Sequence, residues 1–234
     1  MKELLQMELK FNSDSNADDY SFSPLAQNRT LSDAGKVLVA CEYSGTVREA
    51  FAAKGWDAWS CDILPTRIPG NHYEGDVMDI INDGWDLMIA HPPCTYLTIT
   101  ANRSFINNPG RWKKRLEAME FVYKLLNAPI EHICLENPVG VISTYIRPAD
   151  QYIQPFEFGH PMSKKTGLWL KNLPKLKPTN IVEPEYIIDK TRGKRYSPLH
   201  YKTSSTNNPE AALLRSKTFD GIAIAMAEQG RNLS

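Results

Sequence analysis

Three short apolar runs constrain the fold of this chain more than any other feature. They span residues 36–41, 86–90 and 130–135. Each run has the length of a fully buried strand, and helical patterns at 46–54 and 111–127 lie between them. Strands that alternate with helices predict an α/β fold with a doubly wound, mostly parallel sheet, which places ligands at the carboxyl ends of the strands.

Weaker patterns complete the predicted elements. They are a strand at 56–61, a short helix at 77–81, a late strand at 168–170 and a C-terminal helix at 221–228. For the helix at 46–54, Ser44 or Thr46 is the expected N-cap and Gly55 the terminator. The long helix at 111–127 is amphipathic, and its predicted core stripe is Trp112, Leu116, Met119, Phe121, Val122 and Leu125.

The charge of the chain is balanced overall but unevenly distributed. The 234 residues contain 27 Lys and Arg against 27 Asp and Glu, so the total charge indicates no partner. From Lys171 onward basic residues outnumber acidic ones, and Tyr186, Tyr196, His200 and Tyr201 lie between them. A basic region on a neutral protein is typical of phosphate contact, although a solvated surface remains the alternative.

The four cysteines form no C-x-x-C pair, so we expect no metal site. Cys41, Cys61 and Cys134 lie in apolar runs and are interpreted as small core residues. The sequence shows no signal peptide and no apolar stretch near 18 residues, so we expect a soluble cytoplasmic protein with reduced thiols and no membrane partner.

The fourth cysteine follows two prolines at the end of a predicted strand. Pro92-Pro93-Cys94 comes directly after the 86–90 run, and Glu136-Asn137-Pro138 ends the 130–135 run. A thiol on a proline-stiffened loop indicates a positioned nucleophile more than a half-buried structural cysteine. A thiol and a carboxylate at two strand ends can meet over one flat electrophilic ring. This pair fits the chemistry of cytosine C5 alkylation.

A second group of residues follows the first predicted strands. Glu42-Tyr43-Ser44-Gly45 forms a strand-to-helix turn that lacks the G-x-G-x-x-G pattern. Asp62 ends the next strand and suits hydrogen bonding to two ribose hydroxyls, and Asp76 suits acceptance from an adenine amino group. Each acid alone is more typical of a loop cap or a solvated carboxylate, but together they outline a site for a nucleoside-bearing cofactor.

These motifs resemble the DNA cytosine-5 methyltransferase family in its short phage and prophage form, over residues 36–170. Pro92-Pro93-Cys94 matches the nucleophile motif, and Glu136-Asn137 matches the Glu-Asn motif, with Pro138 in place of the usual Val. The resemblance implies that Cys94 adds to C6 of a flipped-out cytosine, which Glu136 anchors. It also implies S-adenosylmethionine as cofactor, bound by Glu42, Tyr43, Ser44, Gly45, Asp62 and Asp76.

The chain departs from the family after Gly159-His160-Pro161. Lys164 and Thr166 take the positions of two arginines. A lysine neutralises a phosphate but cannot copy the guanidinium fork, and a threonine offers one hydroxyl hydrogen bond. The predicted contacts to DNA are Lys164, Lys165, Thr166, Arg192, Lys194 and Arg195.

The resemblance also divides the chain. We expect a polar arm at 1–35, a methyltransferase catalytic domain at 36–170, a reduced target-recognition region at 171–220 and, at 221–234, a C-terminal helix that packs on the catalytic domain. The implied fold is the S-adenosylmethionine-dependent methyltransferase type with a small basic C-terminal subregion. Two alternatives stay open: an exocyclic-amine DNA methyltransferase, and a catalytically silent module that binds the cofactor or nucleic acid. A phage-encoded protein would act in the bacterial host cytoplasm.

Overall fold

A seven-stranded sheet is the centre of the computed structural model, which describes residues 35–189, 193–203 and 218–230. Its strands are β1 Lys36–Ala40, β2 Asp57–Asp62, β3 His72–Glu74, β4 Leu87–Ala90, β5 His132–Pro138, β6 Gln151–Ile153 and β7 Thr166–Lys171. They are arranged in the order β3-β2-β1-β4-β5-β7-β6. A separate antiparallel hairpin pairs β8 Ile187–Asp189 with β9 Lys194–Tyr196.

Helices connect and cover these strands. The α-helices are α1 Thr46–Ala52, α2 Pro109–Leu126, α3 Ile142–Tyr145, α4 Pro198–Thr203 and α5 Asp220–Gly230. Three 3₁₀ helices span Val77–Asp79, Ile99–Phe105 and Pro155–Glu157. Within the described residues, no helix is long and apolar enough to cross a membrane.

The sheet brings the carboxyl ends of its central strands to one edge. Ala40 of β1 lies opposite Cys61 of β2 on one side and Ala90 of β4 on the other, and both pairings are parallel. Ala90 in turn lies opposite Leu135 of β5, again in parallel. Only β7 runs antiparallel, to both β5 and β6. The predicted α/β class with a mostly parallel, doubly wound sheet is therefore confirmed.

Apolar residues are buried on both faces of the sheet. On one face, α2 contributes Val122 and Leu125 to a cluster with Leu38 of β1. On the other face, Phe51 of α1 and Met226 of α5 pack in a second cluster with Val39 of β1. This two-sided covering explains why the strands read as continuous apolar runs instead of alternating patterns.

The predicted core stripe of α2 is partly wrong. Val122 and Leu125 are fully buried and Met119 and Phe121 pack partly against the core, but the side chains of Trp112 and Leu116 are exposed. Only the C-terminal half of the helix covers the sheet. In the first half the buried residue is Arg115, whose guanidinium lies 3.6 Å from the ring centroid of Phe105.

Several boundaries also differ from the sequence prediction. The N-cap of α1 is Gly45, in the left-handed region with φ 78°, instead of Ser44 or Thr46. Gly55 has φ 86° just beyond the helix, as expected of a terminator. The predictions did not include β3, α3, β6 or the hairpin. The structure does not describe residues 1–34, 190–192, 204–217 and 231–234. The predicted DNA contact Arg192 lies outside the described residues.

Candidate active site

The loops that follow β4 and β5 are tied together by a buried side chain. Asn137, which is 1% exposed, donates from Nδ2 to the carbonyl oxygen of Pro92 across 2.8 Å. Because β4 and β5 are parallel neighbours, both loops leave the sheet at the same edge. The nucleophile candidate Cys94 thus lies two residues beyond Pro92, whose backbone is held in place.

The segment after Cys94 is held by a second set of contacts. The amides of Leu97 and Thr98 both donate to the carbonyl oxygen of Cys94, which closes a tight turn. The amide of Val141 donates to the carbonyl oxygen of Leu97 across 2.8 Å, and Thr98 forms an isolated bridge with Gly140. A Cβ on Gly140 would collide with the Leu97 carbonyl, so only glycine permits this approach.

Glu136 lies beside this tie and is surrounded by groups that favour its ionised form. Its Oε2 is 2.8 Å from Nδ1 of His91. Burial raises the pKa of the Glu136 carboxyl. The hydrogen bond from His91, the charge of Lys164 and the hydroxyl of Thr166 lower this pKa by more than burial raises it, so the net shift is downward. The structure therefore gathers the Cys94 loop, Glu136, Lys164 and Thr166 at one end of the sheet.

Thr166 is fully engaged in this cluster. It is 2% exposed, and its hydroxyl lies 3.0 Å from the carbonyl oxygen of Lys164 and also reaches Glu136, so its single proton is donated to one of these two acceptors at a time. The preceding loop is fixed by Gln154, whose Oε1 accepts from the Lys164 amide across 2.9 Å. The residue in the second arginine position of the family thus supports the carboxylate of Glu136.

The other cysteines have the environments of structural residues. Cys61 and Cys134 are buried, which confirms their predicted core role, and Cys41 is half-buried. Burial raises the pKa of the Cys61 thiol to about 12 and raises the pKa values of Cys41 and Cys134 as well. Cys94 is half-buried, on its loop at the edge of the sheet.

The three acids of the predicted cofactor site lie at the same sheet edge, after neighbouring strands. Glu42 is 4% exposed, and its carboxylate accepts from the amides of Val47 and Arg48 and from the hydroxyl of Ser44. It therefore satisfies the first amides of α1. Its own amide donates to the Cys61 carbonyl, which joins the first two strand ends.

Asp62 and Asp76 also accept local hydrogen bonds. Asp62 accepts from the Leu64 amide across 3.0 Å, and Asp76 accepts from the Met78 amide across 3.0 Å as the N-cap of a 3₁₀ helix. Burial raises the pKa of Asp62, and the hydrogen bond from Leu64 only partly offsets this effect. The ionised Asp62 carboxylate would therefore gain from further donors.

A buried arginine that the sequence analysis missed holds the segment after β2 in place. Arg48 is 1% exposed, and its guanidinium donates to the hydroxyls of Ser60 and Thr66 and to the carbonyl oxygens of Ile68 and Pro69. It pins the segment after β2 over the Gly45 turn. Helical periodicity placed Arg48 on α1, but no sequence signal indicates that a helix arginine will be buried.

Exposed apolar side chains occur in the same pinned segment. Ile63, directly after Asp62, is 77% exposed, and Leu64 is 49% exposed. Tyr43 packs nearby, because its ring lies 5.1 Å from the Arg67 guanidinium and its carbonyl accepts from the Arg67 amide. In such an arrangement the acid can accept hydrogen bonds from a ribose, and the exposed apolar side chain beside it can cover the face of a base.

The predicted DNA contacts occupy two places. Lys164 lies beside Glu136, while Lys165 is exposed and its Nζ lies 4.5 Å from the Tyr152 ring centroid. Lys194 and Arg195 are exposed on β9 of the hairpin. Arg192 lies outside the described residues.

A further basic and aromatic surface, which the sequence analysis did not single out, follows the Cys94 turn. Its exposed or half-buried cations are Arg103, Arg111, Lys113 and Lys114. The Arg111 guanidinium lies 5.1 Å from the ring centroids of both Tyr96 and Phe105. The first turn of α2 contains no acid, and cations near a helix N-terminus do not stabilise the helix. The sequence signal that could have indicated this basic surface is the run 111–115 (RWKKR).

Comparisons with known proteins find likeness among solved structures only. No family model matches the chain, and no curated protein matches it. One matching solved structure is a candidate DNA modification methyltransferase encoded within a prophage (E. coli), with a TM-score of 0.43 and 16% sequence identity. The match covers 64% of this chain and 52% of that one, so the chain spans about half the length of that protein. Within the described residues, no group of three His, Cys, Asp or Glu side chains is placed to hold a metal ion.

Proposed function

We propose that this protein is an S-adenosylmethionine-dependent DNA (cytosine-5-)-methyltransferase that acts in the cytoplasm. The observation that supports the proposal most is the tie from Asn137 to Pro92, because it joins the loop of a half-buried thiol to the strand end that carries Glu136. A nucleophile and a base anchor held on two tied loops support covalent catalysis, because both groups are then positioned before the base enters.

In the proposed reaction, the Cys94 thiolate forms a bond to C6 of a flipped-out cytosine. Glu136 holds the exocyclic amine and the ring nitrogen N3, and a protonated N3 accepts the electron pair that the addition displaces. C5 then takes a methyl group, and a base removes the C5 proton. Re-formation of the C5–C6 double bond expels the thiolate, so the enzyme is regenerated.

S-adenosylmethionine supplies the transferred methyl group in this proposal, and the residues at the β1 and β2 ends fit such a ligand. A Cβ on Gly45 would lie 2.9 Å from Arg48 and Ile68, so glycine at this position lets those side chains pack closely against the turn. Asp62 would accept from the ribose hydroxyls, and its raised pKa is consistent with a carboxylate short of donors. Glu42, Tyr43 and Ser44 would shape the turn around the ligand.

DNA is the proposed substrate because basic and aromatic side chains border the Cys94 loop. The surface around Arg111 and Lys114 lies directly after the Cys94 turn in the chain, and Lys164 belongs to the site itself. Cations interleaved with rings suit both phosphate contact and base stacking. The hairpin residues Lys194 and Arg195 would add further phosphate contacts.

Trapping on a duplex that contains 5-fluorocytosine tests the proposal. Fluorine at C5 blocks the final elimination, so an active enzyme is expected to form a stable protein–DNA adduct when S-adenosylmethionine is present. Cys94→Ser should form none, whereas Cys134→Ala, which changes a buried thiol of β5, should still form the adduct if circular dichroism shows that it is folded. The absence of an adduct with the wild-type protein on a varied set of duplexes would refute the thiol mechanism.

A silent binding module is the second candidate, because the single proton of the Thr166 hydroxyl is already used within the protein, by the Lys164 carbonyl oxygen or the Glu136 carboxylate. Such a protein would bind S-adenosylmethionine but transfer no methyl group. An exocyclic-amine methyltransferase would transfer the methyl group without leaving an adduct. Mass spectrometry of the nucleosides after incubation with labelled cofactor separates the three outcomes.

A further inference from the structure

His91 is the residue of the candidate site to which the proposed reaction gives no role. It directly follows β4, and its Nδ1 lies 2.8 Å from Oε2 of Glu136. The two side chains are only 11% and 16% exposed. Because Ala90 and Leu135 are opposite each other in the parallel ladder, the next residues on the two strands are brought side by side by the sheet itself.

The other nitrogen of the ring shows that packing alone does not account for a histidine here. His91 Nε2 is buried and has no hydrogen-bond partner among the described residues. Leaving a buried polar atom unsatisfied is destabilising, and an apolar side chain of similar size would avoid that cost. The feature that an apolar residue cannot supply is the contact from Nδ1 to Glu136.

The surroundings of Glu136 create a need for a proton. The charged groups that act on it are His91 from the end of β4 and Lys164 from the loop before β7, and the Thr166 hydroxyl adds a hydrogen bond. The neighbouring Cys134 thiol stays protonated because burial raises its pKa. These groups favour a carboxylate, which has no proton to give to N3 when sulfur adds to C6.

We propose that His91 and Glu136 form a dyad that carries one proton between them, and that His91 is the positioning residue that holds this proton until the base enters. This inference rests on the proposed function. Before binding, the proton is on His91 Nδ1 and faces the Glu136 carboxylate, while Nε2 keeps its own proton throughout. When cytosine binds, the proton passes to the carboxyl group and leaves His91 neutral.

The proton and electron accounting closes over one cycle. The sulfur lone pair forms the bond to C6, the displaced ring pair moves to N3, and N3 takes the proton from Glu136. After C5 has gained its methyl group and lost its own proton, the bond from Cys94 to C6 breaks. N3 then returns the proton to Glu136, and Glu136 returns it to His91. The cycle needs no oxidant or reductant.

His91→Asn is the matched variant that tests this role. The side-chain nitrogen of asparagine is the same number of bonds from Cα as Nδ1, so it can still donate to Glu136, but it does not titrate in this range. Adduct formation on the 5-fluorocytosine duplex is measured over about pH 5 to 8. The wild-type rate should contain a limb that falls as the pH rises. The variant should lack that limb and be at least about tenfold slower at pH 6. Equal rates and profiles for the two proteins would overturn the inference.

A measurement that needs no activity separates this inference from the proposed function. In the free protein, the Nδ1 proton of His91 should give an exchange-protected NMR resonance that is absent in His91→Asn and displaced in Glu136→Gln. Failure of the wild type to form any adduct would refute the proposed function and the inference with it. A wild-type adduct without the resonance, or with a His91→Asn profile like the wild type, would overturn the inference alone.

Discussion

Asn137 at the end of β5 holds the carbonyl oxygen of Pro92 beyond β4, and the bond is buried. We expect Asn137→Ala to lower the free energy of unfolding by about 1–3 kcal/mol, because it leaves a buried carbonyl without its donor. The rate of adduct formation should fall as well, since the loop of Cys94 loses its fixed point. Urea unfolding and the trapping assay measure the two effects.

Asn137→Asp provides the matched control for this contact. It preserves the size of the side chain but cannot donate to a carbonyl when ionised, so it should be at least as damaging as alanine. Wild-type stability in both variants would show that the bond from Asn137 to Pro92 does not contribute to folding.

The four thiols should differ sharply in reactivity. Burial raises the pKa of Cys61 to about 12 and also raises the pKa values of Cys41 and Cys134, so these groups remain protonated at pH 8. Iodoacetamide applied to the native protein is therefore expected to modify Cys94 first. Peptide mass spectrometry at short reaction times identifies the modified residue, and early labelling of Cys61 or Cys134 would contradict this expectation.

Asp62→Asn is expected to affect stability and cofactor binding in opposite directions. Burial raises the pKa of Asp62 above its ordinary value of 3.8, so its contribution to stability is complete below that value and is lost as the pH rises through the folded-state pKa. Asparagine keeps the acceptor for the Leu64 amide but never ionises. At pH 7 the variant should therefore be as stable as the wild type or more stable, and the two should converge at about pH 3.

The same variant should bind S-adenosylmethionine more weakly, by roughly 1.5–3 kcal/mol, because it loses a charge-assisted pair of hydrogen bonds to the ribose. Titration calorimetry at pH 7 measures the difference. Unchanged affinity would remove Asp62 from the proposed cofactor site.

Salt titrations should show which basic surface touches DNA. Two double variants are compared with the wild type. One combines Lys113→Ala and Lys114→Ala on α2, and the other combines Lys164→Ala and Lys165→Ala before β7. Each lost phosphate contact should reduce the slope of log affinity against log salt by about 0.9. A double variant with the wild-type slope would exclude its two lysines from the interface.

The sequence predicted the sheet well because its strands are buried on both faces. The runs that became β1, β4 and β5 are continuous and apolar, and that pattern does not depend on the rest of the fold. Three-residue elements such as β3 and β6 have too few residues for any period to be visible. Their existence depends on the strands beside which they lie.

The candidate site was predictable where residue type alone implies chemistry, as with Cys94 and Glu136. The contact from His91 to Glu136 was not, because it depends on the register between two strands. The exposure of Trp112 and Leu116 was missed for a related reason. Helical periodicity gives the face of a helix, but it does not tell how far along its length the helix meets the core.

Arg48 links α1, β2 and the segment after β2 through hydrogen bonds that are complete within the protein. The segment that packs against the Gly45 turn is therefore held in place before any ligand arrives. A ligand that binds at such a preorganised site loses its own freedom but need not order the protein, so more of the contact energy appears as affinity. Replacing Arg48 would thus weaken binding mainly by making the ligand order the loop, although the arginine itself need not touch the ligand.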